Sequence, residues 1–151
     1  MNRSQRMKPV MRVAESREQE AAKRLGEWVQ LLEERKAQLV QLCQYRDEYN
    51  QYFQRSGVGG VTAGRLLSLQ DFLAQLNAAI TQQEQLIVQT EHTCQLKRHE
   101  WLQARGKTKT IDKVVERYVR EEMQHAAKRE QKEIDEFAQR KGGKSGTPGG
   151  R

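Results

Sequence analysis

Proline is almost missing. Of two in 151 residues, Pro9 stands near the start and Pro148 near the end, so nothing between them interrupts a helix by ring and missing N–H. Apolar residues make up 36% and aromatics 6%, against 31% charged, which leaves too little for a thick globular core. No apolar run approaches the roughly 18 residues of a membrane span, and the polar, basic start MNRSQRMKPV lacks the apolar region of a signal peptide. A cytoplasmic protein is expected. Its two cysteines, Cys43 and Cys94, are then expected as reduced thiols.

Charge of one sign is missing only at the ends. Residues 1–12 carry Arg3, Arg6, Lys8 and Arg12, residues 141–151 carry Lys141, Lys144 and Arg151, and neither stretch has an acid. These seven account for the whole net charge of +7, leaving 20 bases against 20 acids between. The body is neutral and mixed in sign, unlike a basic groove with interleaved aromatics, which argues against a nucleic-acid partner.

What is present is helical. Residues 55–64, RSGVGGVTAG, hold four glycines between two long runs almost free of them, the one place where a helical chain is expected to reverse. The reading is all-α: a flexible basic start over 1–9, a first helix over 10–54, a glycine turn over 55–64, a second helix over 65–140 with a weak stretch at 106–110, and a disordered tail over 141–151. Stepping by three and four, the first arm gives a seam of Met11, Ala14, Glu18, Ala21, Leu25, Trp28, Leu32, Arg35, Leu39, Leu42, Arg46, Tyr49 and Phe53. The second gives Leu66, Leu69, Leu73, Leu76, Ile80, Gln83, Ile87, Thr90, Cys94, Lys97, Trp101 and Ala104. Two heptad arms joined by a short turn pack antiparallel as a two-helix coiled-coil hairpin.

Two registers fit. With partner numbers adding to about 115, Glu18 meets Lys97 and Ala14 meets Trp101, and this register is preferred on charge and size. A slip of one heptad, to about 122, sets Lys97 against Leu25 without an acid. In the preferred register the second arm outruns the first. Residues 111–140 then form an overhang whose stripe of Ile111, Val115, Tyr118, Ala127, Ile134 and Phe137 calls for a partner.

Chemistry finds little footing. His92 and Cys94, two apart on a helix, point away from each other and cannot share a metal with His99. Cys43 and Cys94 lie too far apart along the hairpin for a disulfide. No P-loop, nucleophile elbow or apolar carboxylate pair is present, so neither an enzyme nor a cofactor is expected. Phe72, Ala79 and Leu86 recur every seven residues beside the seam and, with Leu76 and Gln83, broaden it into a stripe that is either extra packing or a partner face.

Tyr45-Arg46-Asp47-Glu48-Tyr49 before the turn, Gln70-x-Phe72-x-x-x-Leu76-x-x-Ala79-Ile80-x-x-Gln83 after it, Trp101, and Asp135-Glu136-Phe137-Ala138-Gln139-Arg140 together resemble the FliJ family of the bacterial flagellar type III export apparatus. The resemblance spans about residues 10–140. It implies an antiparallel coiled coil similar to the central stalk of rotary ATP synthases. It further implies a non-enzymatic adaptor and chaperone that binds the export ATPase FliI and promotes its hexamer assembly, binds the export gate protein FlhA, and handles export chaperones, at the cytoplasmic side of the inner membrane. The gate-binding residues it implies are Phe72, Leu76, Ala79 and Gln83. The end that enters the ATPase ring is expected at the overhang, with Ile134 and Phe137 as anchors and Arg140 supplying charge. Competing readings are a generic structural coiled coil or one whose basic ends contact RNA or lipid.

Overall fold

A computed structural model describes residues 1–56 and 62–144. They form three helices: α1 over Arg3–Arg6, α2 over Lys8–Ser56 and α3 over Ala63–Lys144. The chain divides into two units, one of Glu18–Ala104 and one of Met1–Arg17 with Arg105–Arg151. No helix among the described residues is long and apolar enough to cross a membrane.

The helices outrun their expected bounds. α2 begins and ends two residues beyond 10–54, and α3 begins two before and ends four after 65–140. Residues 55, 56, 63 and 64 of the expected turn are helical; 57–61 and 145–151 lie outside the described residues. The stretch 106–110 stays helical, with the Thr110 hydroxyl donating to the Gly106 carbonyl at 2.9 Å.

Within the unit Glu18–Ala104, α2 and α3 meet along the expected seam. Every seam residue named on the first arm is buried or half-buried, and on the second arm only Leu66 is exposed. The core is a narrow line. Ala21, Leu76, Ile80, Ile87 and Cys94 are its buried apolar members here, and Thr90, 1% exposed, is its buried polar one. Such a line suits a chain of this apolar content, because two helices share one stripe each and leave the rest to water.

The preferred register is overturned. Partner numbers add to between 117, for Tyr45 with Phe72, and 127, for Lys36 with Glu91, which centres the pairing on the 122 register. Two physical reasons are visible. Arg35, a cation in the seam, donates from its guanidinium to Thr90 and accepts at its backbone carbonyl from Gln83. Lys97 needs no acid from α2, because Glu100 on its own helix lies 3.4 Å away. The expected pairing of Glu18 with Lys97 is therefore replaced. Size complementarity survives in another form, since 122 sets small Ala21 level with Trp101 and Trp28 level with Cys94.

In the other unit the start of the chain is folded onto α3. The Asn2 N–H donates to Gln5 Oε1 at 3.3 Å, helping to start the single turn of α1. Ser4 then donates twice to one carboxylate, its N–H to Glu122 Oε1 at 3.0 Å and its Oγ to Glu122 Oε2 at 2.7 Å. The Arg3 guanidinium stands 5.7 Å from the centre of the Tyr118 ring. Ala14 is buried, and Met11, Ile111, Val114, Val115 and Tyr118 are half-buried. The start, expected to be flexible, is thus helical from Arg3 and in contact with α3, and residues 111–122, expected to be bare, are paired. Both changes follow from the register and from α1 starting at Arg3 rather than near Val10.

The Ser4 contacts, backbone first and hydroxyl second, hold the Glu122 carboxyl below its ordinary pKa. A lowered carboxylate pKa contributes stability that is present above the ordinary glutamate range and lost as pH falls through it toward the folded value. The docking of α1 should therefore loosen in acid. Amide exchange at residues 3–7 should quicken as pH drops through that range, after correction for intrinsic rates, and Glu122→Gln should remove the dependence.

Candidate functional site

Two surfaces collect the residues that sequence reasoning singled out, and each lies within one unit. The first is in Glu18–Ala104. Tyr45, Tyr49 and Tyr52 recur on α2 at four and three residues, so they share a face; Phe72, Leu76, Ala79 and Gln83 recur on α3 at four, three and four. The register brings the two rows together. The Tyr49 and Phe72 rings stack with centroids 4.4 Å apart and planes at 29°, and Tyr45 leans on both, 5.4 Å from Tyr49 and 6.3 Å from Phe72.

This trio divides two open grooves. One, of about 590 Å³, is lined by Tyr45, Glu48, Tyr49, Tyr52, Arg65, Ser68, Leu69 and Phe72. The other, of about 530 Å³, is lined by Gln38, Gln41, Leu42, Tyr45, Phe72, Leu76 and Gln83. Tyr45 and Phe72 belong to both. Tyr45 is 49% exposed, a large amphipathic ring offered at a rim, the kind of side chain that anchors protein interfaces.

The predicted stripe does not behave as one open flank. Phe72 and Ala79 are half-buried, Leu76 is only 8% exposed and forms part of the core, and Gln83 is engaged with α2. Leu76 thus sits as a groove floor, Phe72 as a wall, and Gln83 as the end. Sequence reasoning missed the α2 wall of Gln38, Leu42 and Tyr45. The tyrosine spacing was a signal, but only the register shows which α3 residues it faces.

The second surface is the end of α3. Residues 123–143 are exposed throughout, among them Met123, Ile134 at 55% and Phe137 at 61%. Ile134 and Phe137 are one turn apart on one face, the Lys141 ammonium lies 5.1 Å from the Phe137 ring centre, and Arg140 is exposed beside them. The bare stretch is therefore shorter than expected and begins after Glu122.

No metal-binding cluster of three His, Cys, Asp or Glu occurs among the described residues. Cys94 is buried in the seam while His92 is exposed, so the two point apart.

Helices α2 and α3, paired along one seam within Glu18–Ala104, fit the comparison with known proteins, in which the family model of the flagellar FliJ protein matches residues 3–147. The chain belongs to the FliJ family. It is 28% identical over 128 residues to the flagellar FliJ protein of Escherichia coli (strain K12), covering 85% of this chain and 87% of that one. It is 26% identical, with the same coverage, to the flagellar FliJ protein of Salmonella typhi. No solved structure matches it. Membership agrees with the fold, since the matched span takes in both helices and both surfaces.

Proposed function

We propose that this chain, a flagellar export component by family, is a non-enzymatic adaptor that joins the export ATPase FliI to the gate protein FlhA at the inner membrane and hands over export chaperones. The observation that carries the reading is that each unit has its own, unlike surface, a walled aromatic groove in one and a bare helix in the other. The groove suits a partner that inserts apolar side chains between rings; Phe72, Leu76 and Gln83 line it with Tyr45 from α2, and half-buried Ala79, on the same stripe, completes the proposed contacts. The bare helix suits a ring that surrounds it. Ile134 and Phe137 are its apolar anchors and Arg140 its charge, and covering this stripe favours assembled FliI over free subunits by mass action.

The test is separation of the two activities. Ile134→Asp with Phe137→Asp should abolish promotion of the FliI hexamer in sedimentation velocity and leave FlhA binding unchanged. Loss of both together, or of neither, would refute the division of labour.

A further inference from the structure

A half-buried polar cluster around Thr90, in the seam of α2 and α3, has a use that packing alone does not explain. Arg35 lies in the seam of α2, and its guanidinium donates to the Thr90 hydroxyl, which itself donates to the Leu86 carbonyl at 2.7 Å. The Arg35 carbonyl accepts from Gln83 Nε2 at 2.9 Å, and the same amide nitrogen reaches Gln38 Oε1 at 3.2 Å. Thr90 is the most buried polar residue of the chain's described part, at 1% exposure. A polar group placed there loses water and requires these partners.

A heptad seam repeats every seven residues, so apolar matching leaves neighbouring registers close in energy, whereas a polar core residue selects one of them at some cost in stability. The cluster discriminates in both directions. A slip of one heptad toward 115 puts Gln83 in the place of Thr90 and Leu76 in the place of Gln83, so the guanidinium keeps one polar partner while the Gln83 contacts to the Arg35 carbonyl and Gln38 are lost and Thr90 moves level with Leu25. The opposite slip puts Lys97 in the place of Thr90, and two cations would meet in the seam.

We propose that Arg35, Gln83 and Thr90 are a register lock that holds the two walls of the aromatic groove in apposition. Tyr49 stacks on Phe72 across the seam, from opposite helices, and one heptad of slippage carries them about 10 Å apart. The groove exists in one register. Its shape is thus controlled by a polar layer that begins at its Gln83 end, and Arg35 and Thr90, which do not line the groove, act on it through the register.

Cysteine crosslinking in the full chain tests the lock, in a background of Cys43→Ser and Cys94→Ser. Leu42→Cys with Ile80→Cys reports the 122 register; Leu42→Cys with Leu73→Cys reports 115. With Arg35 and Thr90 in place, the first pair should close and the second should not. Arg35→Leu should raise closure of the second pair relative to the first by at least about tenfold, the equivalent of about 1.4 kcal/mol of lost preference, with no fall in melting temperature. Thr90→Val, which keeps the seam volume, should shift the ratio the same way by less. An unchanged ratio in both variants would overturn the proposal, as would equal slowing of both pairs in both variants, the mark of unfolding rather than slippage.

Discussion

Cutting the chain after Met123 should return the FliI ATPase to its unstimulated rate while the remaining protein stays helical and melts where the full chain does. Of what is removed, residues 124–143 are exposed throughout and contribute none of the buried core, so their loss costs the fold almost nothing. The hydrogen bonds of Ser4 to Glu122, which tie the start of the chain to α3, are spared by the cut. What is removed is the apolar pair Ile134 and Phe137, with Arg140. A cut after Gly106 would be a poorer experiment, because it also strips Ile111, Val115 and Tyr118 from residues 1–17 and confuses unfolding with loss of contact. Circular dichroism and steady-state hydrolysis separate the two effects. Full stimulation by the shortened chain would show that the bare helix is not the ring-binding end.

The seam was legible because period and composition agree. Alternation by three and four picked out residues of both arms that are in fact shielded, Leu66 beside the turn excepted. Register was not legible from the same pattern, since a sequence that repeats every seven residues satisfies its apolar positions equally in neighbouring registers. Charge pairing favours 115 only if Lys97 needs an acid across the seam. An acid three residues along its own helix, Glu100, serves instead. The deciding contacts are those of Arg35, whose guanidinium donates to Thr90 while its backbone carbonyl accepts from Gln83, a pair that only one register makes together.

The error in register carried over to the surfaces. Pairing on 122 moves seven more residues of α3 under the first arm, and α1 covers more still, so an overhang placed at 111 begins after 122. The docking of α1 had no sequence signal, because Ser4 and Glu122 are 118 residues apart and neither is in an apolar pattern. The α3 side of the groove could be read from spacing along one helix. Its α2 side depends on which residues face each other, which spacing along one helix does not contain.

Within the groove, substitution by charge should separate two residues that look alike in sequence. Phe72 and Leu76 are one turn apart and both apolar, yet Phe72 is a half-buried wall and Leu76 a floor at 8% exposure. Phe72→Asp forfeits the stack on Tyr49, worth on the order of 1 kcal/mol beyond area burial, while its new carboxylate can turn toward water through the open groove. Leu76→Asp removes a buried side chain, a loss of about 2–5 kcal/mol for truncation alone, and places an unpaired charge against Ile80 and the α2 seam. The expected result is that Phe72→Asp abolishes FlhA binding with a small fall in melting temperature, whereas Leu76→Asp lowers the melting temperature sharply and loses binding as a consequence. Tyr45→Asp, at an exposed rim on the other helix, should resemble Phe72→Asp. Melting curves and pull-down on FlhA distinguish these outcomes. If Phe72→Asp and Tyr45→Asp bound FlhA as the parent does, the groove would be packing around the hairpin and the gate protein would dock elsewhere.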